Sequence, residues 1–254
     1  MQISIKLFLL SLLGSVLLAR ISDYPPVEQV EAEFRRLFEN REKVELDPRS
    51  VLAEEGEFMV ERGSFAVEAG ERVPFVLYKT KDAGNPLPTV LVLHGTGGDK
   101  EGERQISMVR ELARRDFLAI AVDGRYHGER VPGGANGKEQ YEEAVIRAWR
   151  EKDPSKQKYP FLYETAADLW RIADYLESRP DVDRDRIGVI GFSKGGMEIW
   201  LGASVDERYK VAVPAIAIQS FRWQLENDQW QGRAKTIWRA HETAAADLGE
   251  KEVN

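Results

Sequence analysis

The clearest chemical feature of this sequence is Ser193, which stands between Gly191 and Gly195 in the stretch GFSKGG. Residues 187–190 before it are mostly β-branched, as in a buried strand, and the apolar residues at 197–201 after it recur as in a helix. We therefore expect Ser193 at the tip of a sharp strand-to-helix turn, where the backbone is strained and the residues two positions away must be small. A hydroxyl there could act as a nucleophile, beside helix N–H groups that favour a developing negative charge. A tight turn with an incidental serine is the alternative.

A second candidate element is the run His94-Gly95-Thr96-Gly97-Gly98, a glycine-rich turn after an apolar segment. If Ser193 attacks an acyl carbon, the oxyanion that forms needs main-chain N–H donors aimed at it. The N–H of Lys194 would be one donor, and the glycines let the N–H of Thr96, or of Gly95, approach as the second. A phosphate-binding glycine loop is the alternative, but neither a G-K-S/T nor a G-x-G-x-x-G pattern occurs there. The two elements together indicate acyl transfer.

These two turns need a scaffold in which strands alternate with helices. Strands are predicted at residues 89–93, 117–122, 187–190 and 210–218, and helical patterns at 104–114 and 165–176. This alternation predicts an α/β fold with a mostly parallel sheet, helices on both faces and Ser193 at the carboxyl edge. Residues 57–80 read as antiparallel strands that lead into the sheet, with turns at Gly63 and at Ala69-Gly70, and residues 131–140 as an exposed loop.

Composition limits the function classes. The chain has 254 residues, of which 43% are hydrophobic, so one globular domain with a full-sized core is expected. Its formal charge of −7, with no basic face or arm, argues against a nucleic-acid partner. No cysteine occurs, which excludes disulfides and thiolate metal sites.

The first twenty residues differ from the rest. Lys6 precedes an apolar core at residues 7–19, which is short for a membrane span and suited to a signal peptide. Leu17 occupies a position before the cleavage site where a small residue is usual, so an uncleaved anchor or a fortuitous apolar N-terminus is the alternative. Residues 1–20 are therefore assigned as a leader or anchor and residues 21–254 as one α/β domain. The protein would be secreted or exported if the leader is cleaved, and membrane-anchored rather than cytoplasmic otherwise.

Two helical regions flank the predicted sheet. Residues 25–40 carry an apolar stripe made of Val27, Val30, Phe34, Leu37 and Phe38, which predicts a packing helix. Residues 221–254 are polar and rich in tryptophan. The tryptophans of this region recur at near-helical spacing, at Trp223, Trp230 and Trp238. This spacing predicts that the region forms a cap or lid over the site.

The order of these elements resembles the α/β-hydrolase fold over residues 75–218. The motifs that carry the resemblance are H-G-T-G-G, D-G-R-Y-H-G-E-R and G-F-S-K-G-G, in that order with strands and helices between them. Within the superfamily they look most like the dienelactone-hydrolase-like and prolyl-oligopeptidase-like branch. The resemblance implies a serine hydrolase that uses neither a metal nor an organic cofactor and cleaves a small-molecule acyl ester, or alternatively a short peptide. It implies Ser193 as nucleophile, with Thr96 and Lys194 as main-chain oxyanion donors.

The general base and the acid of a catalytic triad are harder to find. In this fold they follow the serine along the chain, each after a later strand, and no such strands are visible after residue 218. His94 is expected to shape the oxyanion turn and His127 to fix the loop after the second parallel strand, with Asp123 or Glu129. His241 is the one histidine after Ser193, on a helical stretch. His241 and His127 remain possible bases, whereas Asp206, Asp228 and a Ser-Lys arrangement with Lys194 are disfavoured.

Two hypotheses explain the missing residues. Either the chain is an incomplete product of a longer hydrolase, or it is a binding module that has lost the triad. We favour the first, because a strained elbow beside an oxyanion turn is costly to retain without chemistry. On that hypothesis residues 1–254 alone should show weak or undetectable esterase activity.

Overall fold

The structure is a computed structural model that describes residues 25–37, 43–131, 133, 138–153, 156, 158–159, 162–217, 220–229 and 232–249. The chain divides into two compact units, Met1–Arg41 and Glu42–Asn254. The first unit contains helix α1 (Val27–Arg36), in which Phe34 is buried while Val27 and Val30 of the predicted stripe are exposed. The predicted leader at residues 1–20 lies outside the described residues, as does Phe38.

A seven-stranded sheet organises the second unit. Its strands in chain order are β1 (Arg49–Glu55), β2 (Phe58–Glu68), β3 (Glu71–Thr80), β4 (Leu87–Leu93), β5 (Leu118–Val122), β6 (Val182–Phe192) and β7 (Tyr209–Ala215). Across the sheet the order is β1-β2-β3-β5-β4-β6-β7. Strands β1, β2, β3 and β5 pair antiparallel in succession, and β5, β4, β6 and β7 pair parallel. The predicted parallel strands are confirmed, and their carboxyl ends meet at one edge.

Helices cover both faces of this sheet, as predicted. The helices of this unit are α2 (Glu103–Ala113), α3 (Lys138–Arg150), α4 (Leu162–Ser178), α5 (Lys194–Gly202), α6 (Phe221–Glu226) and α7 (Gly232–Leu248). Of these, α2 packs on one face of the sheet and α4 and α5 pack on the other. On one face Val109 and Ala113 of α2 pack in a cluster with Val92 of β4. On the other face Leu169 of α4 packs in a cluster with Leu91 of β4, since successive strand residues point to opposite faces. Burying each such aliphatic side chain stabilises the fold by about 1.5 to 3 kcal/mol.

One sequence prediction in the antiparallel part of the sheet is wrong, while the predicted turn at Ala69-Gly70 joins β2 to β3. Gly63 is not a turn but lies inside β2, paired with Ser50 of β1 and Phe75 of β3. A Cβ at Gly63 would come within 2.3 Å of the Arg49 carbonyl oxygen and 2.9 Å of the Phe75 ring, so close packing between strands requires glycine there. Strand β1 itself was not predicted.

The segment predicted as an exposed loop at residues 131–140 is also more ordered than expected where it is described. Val131 is buried after a 3₁₀ turn at Gly128–Arg130, and α3 begins at Lys138. The sequence analysis took the glycines of this segment as a loop and missed that Val131 anchors its start.

Strand β7 forms the last strand of the sheet among the described residues. It ends at Ala215 rather than at residue 218, because Ile216 turns the chain with a φ of 54°. Val211 and Val213 of this strand are exposed on the α2 side of the sheet, next to a groove lined by Met108 and Leu112. None of the helices in the described ranges is long and apolar enough to cross a membrane.

Candidate active site

Ser193 lies where the sequence placed it, between the end of β6 and the start of α5. Its φ of 52° and ψ of −109° put a non-glycine residue in a strained backbone conformation. The Ser193 N–H donates to the carbonyl oxygen of Ala215 in β7 at 2.9 Å, which ties the turn to the neighbouring strand. The residue is exposed at the carboxyl edge of the sheet, so its hydroxyl is open to a ligand.

The glycines around Ser193 are required by contacts within the turn. A Cβ at Gly191 would lie 2.6 Å from the carbonyl carbon of Gly195 and 2.7 Å from its oxygen. A Cβ at Gly195 would lie 2.7 Å from the Cβ of Leu93 and 2.9 Å from the carbonyl oxygen of His94. The close approach at Gly191 closes the turn, and the close approach at Gly195 brings α5 against the end of β4. The two glycines therefore let the serine turn approach the glycine-rich turn.

We predict that Gly191→Ala lowers the free energy of unfolding by about 2 to 3 kcal/mol, because the new methyl group would meet backbone atoms that cannot move aside. Urea denaturation followed by circular dichroism would measure the loss. Gly84→Ala is the matched control, since a Cβ there meets nothing within 4 Å. Equal stability of the two variants would contradict the assignment of Gly191 as a steric requirement of the turn.

The run from His94 to Gly98 forms a tight turn directly beside Ser193. The Gly98 N–H donates to the Gly95 carbonyl oxygen at 3.2 Å, and Gly97 adopts a φ of 80°, which glycine accepts without cost. A Cβ at Gly95 would lie 3.7 Å from the Cβ of Ser193. Thr96 is exposed at the tip of this turn. The structure thus brings Ser193, Lys194 and the Thr96 turn together, as the sequence predicted.

His94 is buried beneath this turn and both ring nitrogens are engaged. Nδ1 donates to the Gly95 carbonyl oxygen at 2.7 Å, and Nε2 accepts the Gly124 N–H at 3.0 Å. This pattern requires the neutral ring. Burial, with the charge of Lys194 as the second cause, holds the pKa of His94 well below its usual range. Both ring nitrogens of His94 are therefore occupied by hydrogen bonds that hold the turn in shape.

The loop after β5 carries Asp123 and His127, both fully buried. Asp123 accepts hydrogen bonds from the Lys100 N–H at 2.8 Å and from the Glu129 N–H at 3.0 Å. His127 Nδ1 donates to the Arg125 carbonyl oxygen at 2.9 Å, and its ring lies 4.9 Å from that of His94, centroid to centroid. His127 is thus packed beneath the site.

A buried ion-pair network on the same loop was missed by the sequence analysis. Arg125 donates to both carboxylate oxygens of Asp168 in α4, at 3.0 and 2.8 Å, and Arg130 donates to Asp168 at 2.7 Å. Arg125 also pairs with Glu68 and with Glu164. The stretch RYHGER held the signal, because two arginines so close to a buried strand need partners, but the partners are distant in the sequence.

The remaining candidates for base and acid lie in other contacts. His241 stacks on Trp238 of α7 and makes an edge contact with Trp149 of α3. Asp206 pairs with Arg208, and Asp228 is exposed. In the described ranges, no side chain is hydrogen-bonded to the Ser193 hydroxyl. The tryptophans of the predicted cap are half-exposed where they are described, at positions 223 and 238.

Comparison with known proteins places this arrangement in a family. Among curated proteins, YtaP of Bacillus subtilis (strain 168), which is named as a hydrolase, is 29% identical over 176 residues, covering 64% of this chain and 54% of YtaP. YcjY of Escherichia coli (strain K12) is 26% identical over 158 residues, covering 61% of this chain and 43% of YcjY. The chain thus spans about half the length, or less, of the curated relatives it matches.

Solved structures show the same fold at low identity. The acetyl xylan esterase from Paenibacillus sp. R4 superposes with a TM-score of 0.67 at 19% identity, covering 93% of this chain and 76% of that one. Acetyl xylan esterase 1 from Thermoanaerobacterium sp. JW/SL YS485 gives a TM-score of 0.67 at 18% identity, with coverages of 90% and 75%. The dienelactone hydrolase family model matches residues 74–238, which include both turns and all four parallel strands. The chain therefore belongs to the dienelactone hydrolase family of α/β hydrolases.

Proposed function

We propose that this hydrolase cleaves a carboxylic ester of a small molecule through an acyl-serine intermediate at Ser193. The observation that carries the proposal is the juxtaposition of an exposed, strained serine with the glycine-rich turn, in which the Cβ position of Gly95 lies 3.7 Å from the Ser193 Cβ. Strain of this kind is retained where it serves a function. The names of the structural neighbours as esterases are consistent with an ester substrate.

In the proposed reaction the Ser193 oxygen attacks the ester carbonyl carbon, and the carbonyl oxygen takes up the negative charge. The N–H of Lys194 at the start of α5 and the N–H of Thr96 are the proposed donors to this oxyanion. Collapse of the tetrahedral intermediate breaks the bond to the alkoxide, which takes up the proton given up by the Ser193 hydroxyl and leaves as the alcohol, while the acyl group stays on Ser193. Water then attacks the acyl-serine in the same geometry and releases the acid.

The structure also supports assigning some groups to supporting rather than proton-transfer roles. The Lys194 ammonium is buried and donates to Glu198 at 2.6 Å, so a Ser-Lys mechanism is not proposed. His94 is held neutral by two hydrogen bonds that a proton-transfer role would break. The mechanism needs no cofactor, since the hydroxyl and two amides supply the nucleophile and the charge stabilisation.

The substrate class can be tested by comparing an ester with an amide of similar shape. We expect hydrolysis of p-nitrophenyl acetate above the rate in buffer, and no release of p-nitroaniline from a proline p-nitroanilide peptide, because aryl esters expel a better leaving group and need no built peptide subsite. Faster cleavage of the peptide would favour a peptidase of the prolyl-oligopeptidase type. Saturable ester binding without turnover would instead favour the binding-module hypothesis.

A further inference from the structure

The side chain of Lys194 points into the protein although it follows an exposed serine. Its Nζ donates to Glu198 Oε1 at 2.6 Å, one helical turn further along α5, and both side chains are only 1% exposed. The pair lines a small internal cavity between the sheet and α4, together with His94 and Gly124. A buried ion pair therefore lies directly beneath the turn that carries Ser193.

This ion pair is not explained by stability alone. Taking two charges out of water costs several kcal/mol for each ion, and replacing a buried pair by apolar residues of similar volume is often neutral or stabilising. Lys194 and Glu198 lie on consecutive turns of α5 and share their cavity with Leu93 of β4 and Leu169 of α4. A reason for the charges must be sought in the groups they contact.

The Lys194 ammonium contacts the loop that holds His94. A Cβ at Gly124 would come within 2.5 Å of Lys194 Nζ and 3.5 Å of His94 Nε2, so Gly124 leaves the space that these two groups occupy. The Gly124 N–H donates to His94 Nε2, and His94 Nδ1 donates to the Gly95 carbonyl oxygen. The same carbonyl oxygen accepts the Gly98 N–H that closes the turn. A continuous series of contacts thus runs from Lys194 to the turn that carries Thr96.

We propose that the Lys194–Glu198 pair is a positioning element that holds the His94–Gly98 turn in place against Ser193. The inference rests on the proposed function, in which the main-chain N–H of Lys194 is one oxyanion donor and that of Thr96 is the other. One residue would then serve the oxyanion twice. Its N–H donates directly, and its side chain, through Gly124 and His94, fixes the turn that supplies the second donor.

The test compares the full chain with a variant in which the pair is made apolar, Lys194→Met/Glu198→Leu. We expect this variant to fold with a melting temperature within about 3 °C of the parent chain, since apolar residues replace the pair at little cost. Hydrogen–deuterium exchange should nevertheless become about tenfold faster, or more, at the Gly98 and Gly124 amides, which report on the turn and on the His94 bond. The Leu91 amide, inside β4, should be unchanged and serves as the internal control.

The kinetic arm uses p-nitrophenyl acetate with the same proteins. Misplacing one oxyanion donor should lower kcat by about tenfold to a hundredfold and leave KM within about twofold, since the donor acts mainly in the transition state. Glu198→Gln keeps the shape of the side chain and should shift exchange and kcat in the same direction by less. It serves as the second variant if the apolar pair does not fold.

The outcomes separate this proposal from the proposed function. If the parent chain neither turns over the ester nor is labelled at Ser193 by a fluorophosphonate probe, the proposed function fails, and the exchange rates of Gly98 and Gly124 still decide whether the pair positions the turn. Unchanged exchange at both amides in a folded variant would overturn the proposal. Faster exchange without any loss of kcat in an active chain would also overturn it, because the pair would then hold the loop without serving the reaction.

Discussion

Ser193→Ala is expected to abolish labelling of the protein by a fluorophosphonate probe and to reduce ester hydrolysis to the rate in buffer. The probe forms a covalent bond with an activated serine oxygen, and Ser193 is the exposed serine at the strained turn between β6 and α5. Alanine keeps the backbone conformation and removes only the hydroxyl. Mass spectrometry of the labelled peptide would locate the adduct, and a p-nitrophenyl acetate assay would give the rates.

The matched control for this substitution is Ser107→Ala, which removes the hydroxyl of an exposed serine in α2. We expect it to be labelled and to hydrolyse ester as the parent chain does. Both variants should unfold at the same urea concentration as the parent, so that a loss of labelling cannot be attributed to misfolding. Labelling of Ser193→Ala at another serine, or unchanged turnover, would refute Ser193 as the nucleophile.

The rate of the parent chain bears on the missing base. No side chain in the described residues accepts the proton of the Ser193 hydroxyl, and a serine without such a base is a poor nucleophile. The sequence analysis predicted weak activity for this reason. A labelling rate comparable to that of ordinary esterases would contradict that expectation and direct attention to His127 and His241.

The parallel part of the fold could be predicted because its signals are local. Each parallel strand is a short apolar run, and each helix carries its own periodic stripe, so neighbouring residues alone identify them. The turn at Ser193 was predictable for the same reason, since Gly191 and Gly195 stand two residues away and their steric role follows from the turn itself. In both cases the physical cause lies within a few residues of the feature.

What could not be predicted depends on contacts between distant residues. Gly63 has the same local appearance as a turn glycine, and only the neighbouring strands β1 and β3 show that it is required for packing. The partners of Arg125 in Asp168 and Glu68 are likewise separated from it by 43 and 57 residues. A single sequence gives the charge of each residue but not which charges meet in the core.

In the candidate site, too, the features with local signals were predicted and those that depend on contacts across the fold were not. Ser193 and the Thr96 turn were identified from spacing, and the structure brings them together. The inward direction of the Lys194 side chain was missed, because a lysine after a turn serine looks like an exposed helix residue. It is buried because Glu198 is available one turn later and Gly124 leaves space for the ammonium.

Asp168→Ala should be the most destabilising single substitution among those considered, with a loss of about 3 to 5 kcal/mol in the free energy of unfolding at neutral pH. Asp168 is 3% exposed and accepts hydrogen bonds from Arg125 and from Arg130. Its removal leaves the buried guanidinium groups of Arg125 and Arg130 each with one carboxylate partner fewer. Urea denaturation at neutral pH would measure the loss, with Asp82→Ala, in an exposed turn after β3, as the control.

The effect of Asp168 should also depend on pH in a defined direction. Burial alone would raise the pKa of Asp168, but the charges of Arg125 and Arg130 more than offset it and hold the pKa below its usual value. A carboxylate with a depressed pKa in the folded state contributes stability that is complete above its unfolded pKa, about 3.9, and is lost as the pH falls through the folded value. The stability difference between the parent chain and Asp168→Asn should therefore stay constant from about pH 7 to about pH 5 and shrink below about pH 4. A difference that grew on acidification would contradict the assignment, because it would mean that the folded protein binds the proton at Asp168 more readily than the unfolded chain does.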